Sequence, residues 1–281
     1  MQIGRTGGVG ATRTPNNRIG GTLQKTNRSL RKILERLSTA QRINRASDDA
    51  AGLAVSEQLR SQARGLKMAD RNVTDAMSVL DTADGAATEI EDMLQRQREL
   101  AIQARNDTLT DEQRGQLDVE FQQLTTEIGR IAEGTEFNAQ EIADGSGLAD
   151  GDAQIQTGAN EGDVVTLPEV DFSVDALGLS GASVADFEKA TSAVETIDNA
   201  LNVLNTQRSN IGAMVNRFTS TQNNLAVAEV NTQAAESILR DQDMAAGLAE
   251  LTRNQLLHEG GTRAFQRFNE ISANHILALF Q

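Results

Sequence analysis

The sequence predicts a mainly α-helical protein, a long antiparallel helical rod with a small β-hairpin region near its tip. Two stretches far apart in the chain repeat apolar residues every seven positions, which is typical of long helices packed side by side. Only two prolines occur, so most of the chain is free to be helical. Its only aromatic residues are eight Phe, which favours small aliphatic seams over a compact globular core.

The first repeat predicts a helix over 49–103, about 80 Å long. One apolar series keeps the period of seven, and a second series follows three residues after its members. The two series are Leu59, Leu66, Val73, Leu80, Ala87 and Leu94, and Ala69, Ala76, Ala83 and Ile90. The pattern stops at 106–108, and the stretch from Thr110 to Gln113 then resembles a capping box that begins a further helix.

The second repeat predicts a returning helix that begins at Phe187 and extends to about Ile238. Its seam consists of Ile197, Leu204, Ile211, Phe218 and Leu225. Because this seam follows long after the first, we expect the chain to turn around in its middle and to return alongside itself. Both termini would then lie at one end of the rod.

The turn region is predicted within 145–183, which is rich in Gly, Asp and Ser. Two β-strands are predicted there, at 153–157 and 163–167. The residues 158–162 between them form a turn-like connection. We therefore expect a β-hairpin near the tip of the rod, where the chain reverses.

The N-terminal end is predicted in two parts. Residues 1–21 are rich in Gly and poor in apolar side chains, so we expect them to be disordered in the isolated chain. From Leu23 the pattern becomes helical, with Leu30, Leu34 and Leu37 following at steps of seven, four and three.

The C-terminal end is predicted to be a second short helix. It begins after Asp241, is interrupted at Gly260 and Gly261, and ends on an apolar face that includes Ile276 and Leu279. Two short helices bury little apolar surface alone. We therefore expect the two ends to pack on each other and to order fully only when many copies assemble.

Charge is distributed unevenly along the chain. The net charge is −14, yet ten basic residues and one acid up to Ala46 give that segment about +9, which leaves about −23 for the remainder. A basic arm suits nucleic acid or an anionic membrane, and it equally suits a solvated or partner-facing helix. No apolar run approaches the roughly 18–20 residues that span a bilayer, and no secretory signal is visible. Membrane insertion is not expected.

Few residues of the types that build metal or catalytic sites are present. The chain has no Cys and two His, His258 and His275. The run that starts at His258 lacks the second His of a zinc-protease helix, so neither a metal site nor a cofactor is predicted.

The acidic pairs Asp48–Asp49 and Asp241–Asp243 are interpreted as helix-start acids, because the helix macrodipole favours negative charge there. The glycines at 7–10 do not follow a strand and lack the Gly-Lys-Ser/Thr of a phosphate loop. We therefore predict that the chain is not an enzyme.

Several motifs resemble those of bacterial flagellins. They occur in the family's order at LSTAQRINRASDDAAGLA (37–54), QRQRELAI (95–102), QIQTGANEG (154–162), ESILRDQDMA (236–245) and TRNQL (252–256). The resemblance implies a structural subunit that polymerises into the extracellular flagellar filament for motility. It also implies export in an unfolded form through the flagellar type III apparatus, and folding under a cap protein.

The resemblance further implies a domain layout without outer decorating domains. Inner-tube segments would be 1–46 and 241–281, and the outer-tube domain would combine 47–144 with 186–240. Residues 145–185 would be only a hairpin and a linker. The apolar series above, with Leu30, Leu34, Leu37, Ile276 and Leu279, would supply packing within and between subunits.

Partners are also implied by the resemblance. Arg96, Leu100 and Glu120 match positions that contact the neighbouring subunit and the host innate flagellin receptor. The segment 241–281 would bind an export chaperone, and the filament would meet junction and cap proteins. Two rival functions stay open: a hook–filament junction protein of the same family, and a coiled-coil module whose basic arm binds nucleic acid.

Overall fold

The computed structural model of the chain describes residues 15–146 and 150–279. The helices in these residues are α1 (Pro15–Thr39), α2 (Ala50–Ala104), α3 (Asp111–Gly134), α4 (Phe187–Arg240) and α5 (Met244–Leu279). The strands are β1 (Glu136–Phe137), β2 (Gln140–Glu141), β3 (Gln154–Gln156) and β4 (Val164–Thr166). Long antiparallel helices with a small β-hairpin region are what the sequence predicts, and that fold class is confirmed.

The chain divides into two compact units. We call residues Met1–Arg60 with Gln233–Gln281 the terminal unit, and Ser61–Thr232 the central unit. The divisions fall within α2 and α4, whereas the predicted domain boundaries at 46 and 240 fall at the connections between helices. The assignment of inner-tube and outer-tube segments stays a prediction.

The two heptad seams form the core of the central unit. Every member of both α2 series from Leu66 to Leu94 is at most 8 % exposed, and the five α4 residues are at most 6 % exposed. Burial of each large aliphatic or aromatic side chain stabilises the fold by about 1.5–3 kcal/mol. The helices run antiparallel: Arg98 Nε donates to Asp198 Oδ1 (2.7 Å), and Gln222 Nε2 donates to Thr74 Oγ1 (3.2 Å).

The connection from α2 to α3 has the predicted capping box. Thr110 Oγ1 accepts from the Gln113 backbone N–H, and Gln113 Oε1 accepts from the Thr110 backbone N–H. The buried Arg114 guanidinium donates to the carbonyls of Ala104 (2.9 Å) and Asn106 (3.1 Å). It thereby satisfies carbonyl groups that the end of α2 leaves without a partner in the helix.

The predicted hairpin is present as β3 and β4, paired antiparallel with Ile155 opposite Val165. It packs on the first half of α2, where Asn72 Nδ2 donates to the Gln156 carbonyl (3.2 Å). The sequence predicted the hairpin near the tip, where the chain reverses. The structure instead places it away from the α2–α3 connection. The reason is that α3 returns along α2 first, as the hydrogen bond from Gln97 Nε2 to the Phe121 carbonyl shows.

A second hairpin, β1–β2, was not predicted. Its two-residue turn places Asn138 and Ala139 at φ of 52° and 60°, the left-handed region that tight hairpin turns require. Each strand has only two residues, too few for an alternating pattern to be visible in the sequence.

The stretch after β4 was predicted as a linker, and the structure corrects this. Its apolar side chains are buried in the core of the central unit: Leu167, Val170, Phe172, Leu177, Leu179 and Val184. Its backbone is also tied to helices, since the Val184 N–H donates to Asp118 Oδ1 (2.7 Å) and Gln122 Nε2 donates to the Ala182 carbonyl (2.8 Å). Irregular backbone can be buried here because helix side chains satisfy it.

In the terminal unit, α1 and α5 pack antiparallel through glycines. A Cβ placed at Gly247 would lie 2.8 Å from Leu37 Cδ2, and one at Gly261 would lie 2.8 Å from Leu23 Cδ2. The prediction that Gly260 and Gly261 interrupt α5 is wrong, because the helix continues through them and uses Gly261 for close approach.

The start of α1 also differs from the prediction. The helix begins at Pro15, so residues 15–21 are helical, whereas the sequence pattern predicted disorder there. Proline at the first helical position is favourable because its fixed φ suits the helix and its missing N–H would lack a partner anyway. The preceding residues, and the side chains of His275, Ile276 and Leu279, lie outside the part that the structure describes.

Candidate assembly surfaces

The predicted packing residues differ in exposure within a single chain. Those on the central seams are buried, as described above. Leu30, Leu37 and Leu59 in the terminal unit are half-buried, whereas Leu34 is 52 % exposed. About half of Leu34 is therefore open to another molecule, and a contact with another subunit stays a prediction for it.

The outer side of α5 carries exposed apolar residues between 244 and 257. They are Met244, Leu248, Leu256 and Leu257, with exposed fractions of 44, 53, 65 and 56 %. Positions on the side that packs toward α1 are at least half-buried at Gly247, Leu251 and His258. The first half of α5 thus packs one side toward α1 and carries exposed apolar residues at the edges of that side and on the opposite side of the helix.

A charged cluster lies on the surface of α2 and α3. Arg96 donates from Nε and Nη2 to Glu120 Oε1 at 3.0 and 2.8 Å, and from Nη1 to Glu99 Oε2 at 2.9 Å. The hydrogen bonds that Arg96 donates to Glu120, and to a lesser degree to Glu99, raise the pKa of its guanidinium above the ordinary value. The three side chains are 45–68 % exposed, so another molecule can reach them.

The third member of the predicted contact set is not on that surface. Leu100 is fully buried in the core of the central unit, with 0 % exposure. Positions 96 and 100 are four residues apart and lie about 40° from each other around α2, so Leu100 faces the core while Arg96 lies at the edge of the same face, beside α3. The accessible set therefore consists of Arg96 and Glu120, which the structure brings together, and excludes Leu100.

Two of the family-like motifs meet in the terminal unit, which sequence reasoning missed. The Arg42 N–H donates to the Arg240 carbonyl (2.7 Å), and the Gln242 N–H donates to the Ala40 carbonyl (2.9 Å). Arg240 is buried and its Nη1 donates to Glu57 Oε1 at 2.6 Å. Motif 37–54 and motif 236–245 thus form one hydrogen-bonded junction between the chain's two ends.

One acid of each pair in this junction acts as a helix cap, as predicted, whereas Asp241 accepts from Ser237 Oγ (2.5 Å) at the end of α4 instead. Asp49 Oδ1 accepts from the Gly52 N–H (2.8 Å) at the start of α2, and Asp243 Oδ1 accepts from the Ala245 N–H (2.9 Å) at the start of α5. Asp48 differs from the prediction, because it binds Lys32 Nζ (2.7 Å) and loop N–H groups instead.

Interhelix ion pairs flank the central seams and were also not predicted. Arg208 on α4 donates from Nε to Asp84 Oδ1 (2.9 Å) and from Nη1 to Glu91, both on α2. Arg98 on α2 binds Asp198 on α4. A sequence shows that such charges border a seam, but it does not show which of them face each other.

The described residues meet the requirements neither of metal sites nor of membrane-spanning helices. Among residues 15–146 and 150–279, no group of three or more His, Asp or Glu is arranged to hold a metal ion. Within the same residues, no helix is both long and apolar enough to cross a bilayer.

Two family models match the chain and together cover most of it. The bacterial flagellin N-terminal helical region matches residues 11–147, and the bacterial flagellin C-terminal helical region matches residues 194–280. The two matches include α2 and α3 on one side and most of α4 and α5 on the other.

Relatives with known names are similar over nearly the whole chain. A flagellin of Halalkalibacterium halodurans is 43 % identical over 241 residues, which span 85 % of this chain and 88 % of that protein. The flagellar filament 31.3 kDa core protein of Treponema maltophilum is 38 % identical, over 94 % of this chain and 96 % of that protein. A flagellin of Bacillus subtilis is also 38 % identical, over 90 % and 93 %.

Solved structures give the same fold. The crystal structure of Bacillus cereus flagellin is 34 % identical and superposes with a TM-score of 0.50, over 55 % of this chain and 88 % of that chain. A structure described as a flagellar hook-associated protein of Vibrio parahaemolyticus has a TM-score of 0.57 over 69 % and 99 %. At 12 % identity, the latter shows similarity of fold alone.

Proposed function

The chain belongs to the bacterial flagellin family, and we propose that the exposed apolar residues of α5 and Leu34 of α1 are the contacts through which its copies pack in the filament. Its function is that of a structural subunit of the extracellular flagellar filament, which serves motility. The named relatives are structural proteins, and we propose that this chain likewise has no catalytic role.

The observation that carries the contact proposal is the set of exposed apolar residues on the first half of α5. Leu248, Leu256 and Leu257 are each more than half exposed. Removing apolar surface from water stabilises an interface by about 25 cal/mol per Å², so a repeated contact of this kind favours assembly. Large exposed apolar patches on a protein surface mark interaction sites, and three exposed leucines within ten residues of one helix favour such a site.

Seeded polymerisation of the purified full chain, followed by electron microscopy, tests this proposal. We expect Leu256→Asp to abolish filament growth, because it places a charge in an apolar interface, while the helicity of the monomer stays unchanged. The matched control is Gln255→Asp, which adds the same charge at the next exposed position of the helix. Growth of the Leu256→Asp protein at the rate of the control would contradict the proposal.

The rival junction protein is distinguished by the same assay. The named flagellins are 38–43 % identical to this chain, whereas the similarity to the hook-associated structure is one of fold. We therefore propose the filament subunit itself. A subunit extends seeds into long filaments, whereas a junction protein stops after a short cap.

The partners of the monomer before and after assembly are also proposals. We propose that an export chaperone covers the apolar face of 241–281 before export through the type III apparatus, and that cap and junction proteins meet the filament ends. The exposed leucines of α5 support this, since they would otherwise face water in the cytoplasm. Leu256→Asp should then also weaken copurification of the chaperone, whereas Gln255→Asp should not.

The Arg96–Glu120 cluster is our candidate for contact with a neighbouring subunit and with a host innate receptor. Its support is that both side chains are exposed and paired across two helices, so they present a rigid charged surface. Arg96→Glu should lower activation of receptor-bearing cells by purified monomer at least tenfold. Arg130→Glu, at an exposed arginine on α3, serves as the control, and equal potency of the two variants would overturn the assignment.

A further inference from the structure

We propose that Arg208 selects the register in which α4 packs against α2. Its guanidinium lies between two carboxylates one heptad apart, Asp84 and Glu91, and bonds to both. This assignment goes beyond the role of the chain as a filament subunit, because it concerns how each subunit chooses one arrangement of its own core.

The need for such a selector follows from the repeat itself. Both seams keep a strict period of seven, so a shift of α4 by seven residues places apolar residues opposite apolar residues again. Leu204, for example, would take the place of Ile211. Such exchanges between aliphatic side chains of similar volume cost little. Phe218 is the one α4 seam residue whose exchange changes side-chain shape, so apolar packing discriminates between registers that differ by one heptad mainly through that single residue.

The polar contacts between the two helices agree on one register. Arg98 pairs with Asp198, and Gln222 bonds to Thr74, so the paired residue numbers add up to 296 in both cases. Position 208 then faces position 88, midway between Asp84 and Glu91, which is where Arg208 is found. Three separate polar links thus specify the same alignment.

Each register shifted by one heptad loses some of these polar contacts between α2 and α4 and brings two like charges together. A shift in one direction places Arg208 between Glu91 and Arg98, so that two like charges meet. A shift in the other direction leaves Arg208 beside Asp84 and places Asp198 beside Glu91. Like charges in contact are unfavourable, and polar groups beside a seam are known to specify the register of paired helices.

Burial makes Arg208 the strongest of these selectors. Its side chain is 28 % exposed and that of Glu91 is 24 % exposed, whereas Arg98 and Asp198 are 44 and 47 % exposed. Partial burial reduces the screening of charges by water and salt. The Arg208 contacts therefore favour one register over the others more strongly than a solvent-exposed ion pair would. Because two different nitrogens of one planar guanidinium each bond to a separate carboxylate, the geometry of the contact is also restricted.

The absence of cysteine from the whole chain allows a direct test by disulfide trapping. Thr74→Cys combined with Gln222→Cys reports the observed register, since these side chains are in contact. Thr74→Cys combined with Glu229→Cys, or with Val215→Cys, reports a shift of one heptad in either direction. We expect the parent protein to form the first crosslink at least tenfold more than the other two.

Arg208→Asp should shift α4 along α2 toward the register that the crosslink between positions 74 and 229 reports. It repels Asp84 and Glu91 in the observed register, whereas the shift reported by Glu229→Cys brings position 208 beside Arg98. We therefore expect the crosslink between positions 74 and 229 to rise at least tenfold. The matched control is Arg130→Asp, since Arg130 pairs with Glu127 on its own helix.

If Arg208→Asp does not fold, a charge-swapped variant tests the proposal instead. Arg208→Asp combined with Asp84→Arg and Glu91→Arg recreates attraction in the observed register and should restore both folding and the crosslink between positions 74 and 222. The proposal is overturned if Arg208→Asp folds and crosslinks only at 74 and 222. It is equally overturned if Arg208→Asp fails to fold and the swapped variant does not restore the crosslink.

Discussion

Asp48 illustrates how one carboxylate can tie a loop to a helix. It binds Lys32 Nζ at 2.7 Å and accepts from the backbone N–H groups of Asn44 and Arg45. The hydrogen bond from Lys32 has the largest effect on the pKa of Asp48 and lowers it, while partial burial opposes the change. The charged form is therefore the one that the folded chain stabilises.

The lowered pKa of Asp48 predicts how the effect of Asp48→Asn on stability depends on pH. Because the pKa of Asp48 is lower in the folded than in the unfolded chain, its stabilisation is present above the unfolded pKa of about 3.9 and is lost as pH falls through the folded pKa. We expect Asn to lower the urea midpoint at pH 7, and the difference from the parent to shrink as pH falls below about 4. Asp107→Asn, in an exposed loop, is the control and should change little at either pH. A difference that grows on acidification would show that the sign is wrong.

At the scale of elements, two glycines of α2 have different roles. A Cβ at Gly65 would lie 2.9 Å from Ala159 Cβ and 3.3 Å from Ala159 Cα, so the hairpin connection approaches the helix there. A Cβ at Gly85 would meet nothing within 4 Å. The first glycine is required by packing, and the second only lowers the helix propensity.

The same substitution should therefore have opposite effects at the two positions. Gly85→Ala should stabilise the chain by about 1 kcal/mol, which is the helix-propensity difference between Gly and Ala. Gly65→Ala gains the same propensity but forces backbone of the hairpin connection to move, at a cost of about 1–3 kcal/mol, so we expect net destabilisation. Urea titrations of the two variants and the parent measure both changes. Equal stabilisation by both would mean that the hairpin does not pack on α2 as described.

At the scale of the molecule, the two units are built from different kinds of contact. The central unit has continuous apolar seams, the capping box and a buried irregular stretch. The terminal unit pairs α1 with α5 through a few leucines and glycines and leaves apolar residues exposed. Folding of the central unit should accordingly depend little on the terminal one, whereas assembly should depend on both.

Removal of residues 241–281 tests this division. We expect the shortened chain to keep a cooperative thermal transition from the central unit, with its midpoint changed by only a few degrees, and to lose all growth on filament seeds. Circular dichroism and electron microscopy measure the two properties. Loss of the cooperative transition would contradict the independence of the central unit.

Prediction from sequence succeeded where contacts are local or periodic. Thr110 and Gln113 are three residues apart, so their capping box depends on one helical turn alone. Prediction failed where distant segments meet. Leu100 was placed on a contact surface that it cannot reach, and Gly261 was interpreted as a helix break although it is a packing position against Leu23.

The sequence by itself determined the α-helical class, the two seams and the family, because a repeat of seven and a linear motif are properties of neighbours along the chain. Only the tertiary structure decided the register of α2 against α4, the position of the hairpin and the burial of the stretch after β4. Those features depend on which of several equivalent apolar surfaces meet, and charges such as Arg208 and close approaches such as Gly65 settle that choice only when distant segments are in contact.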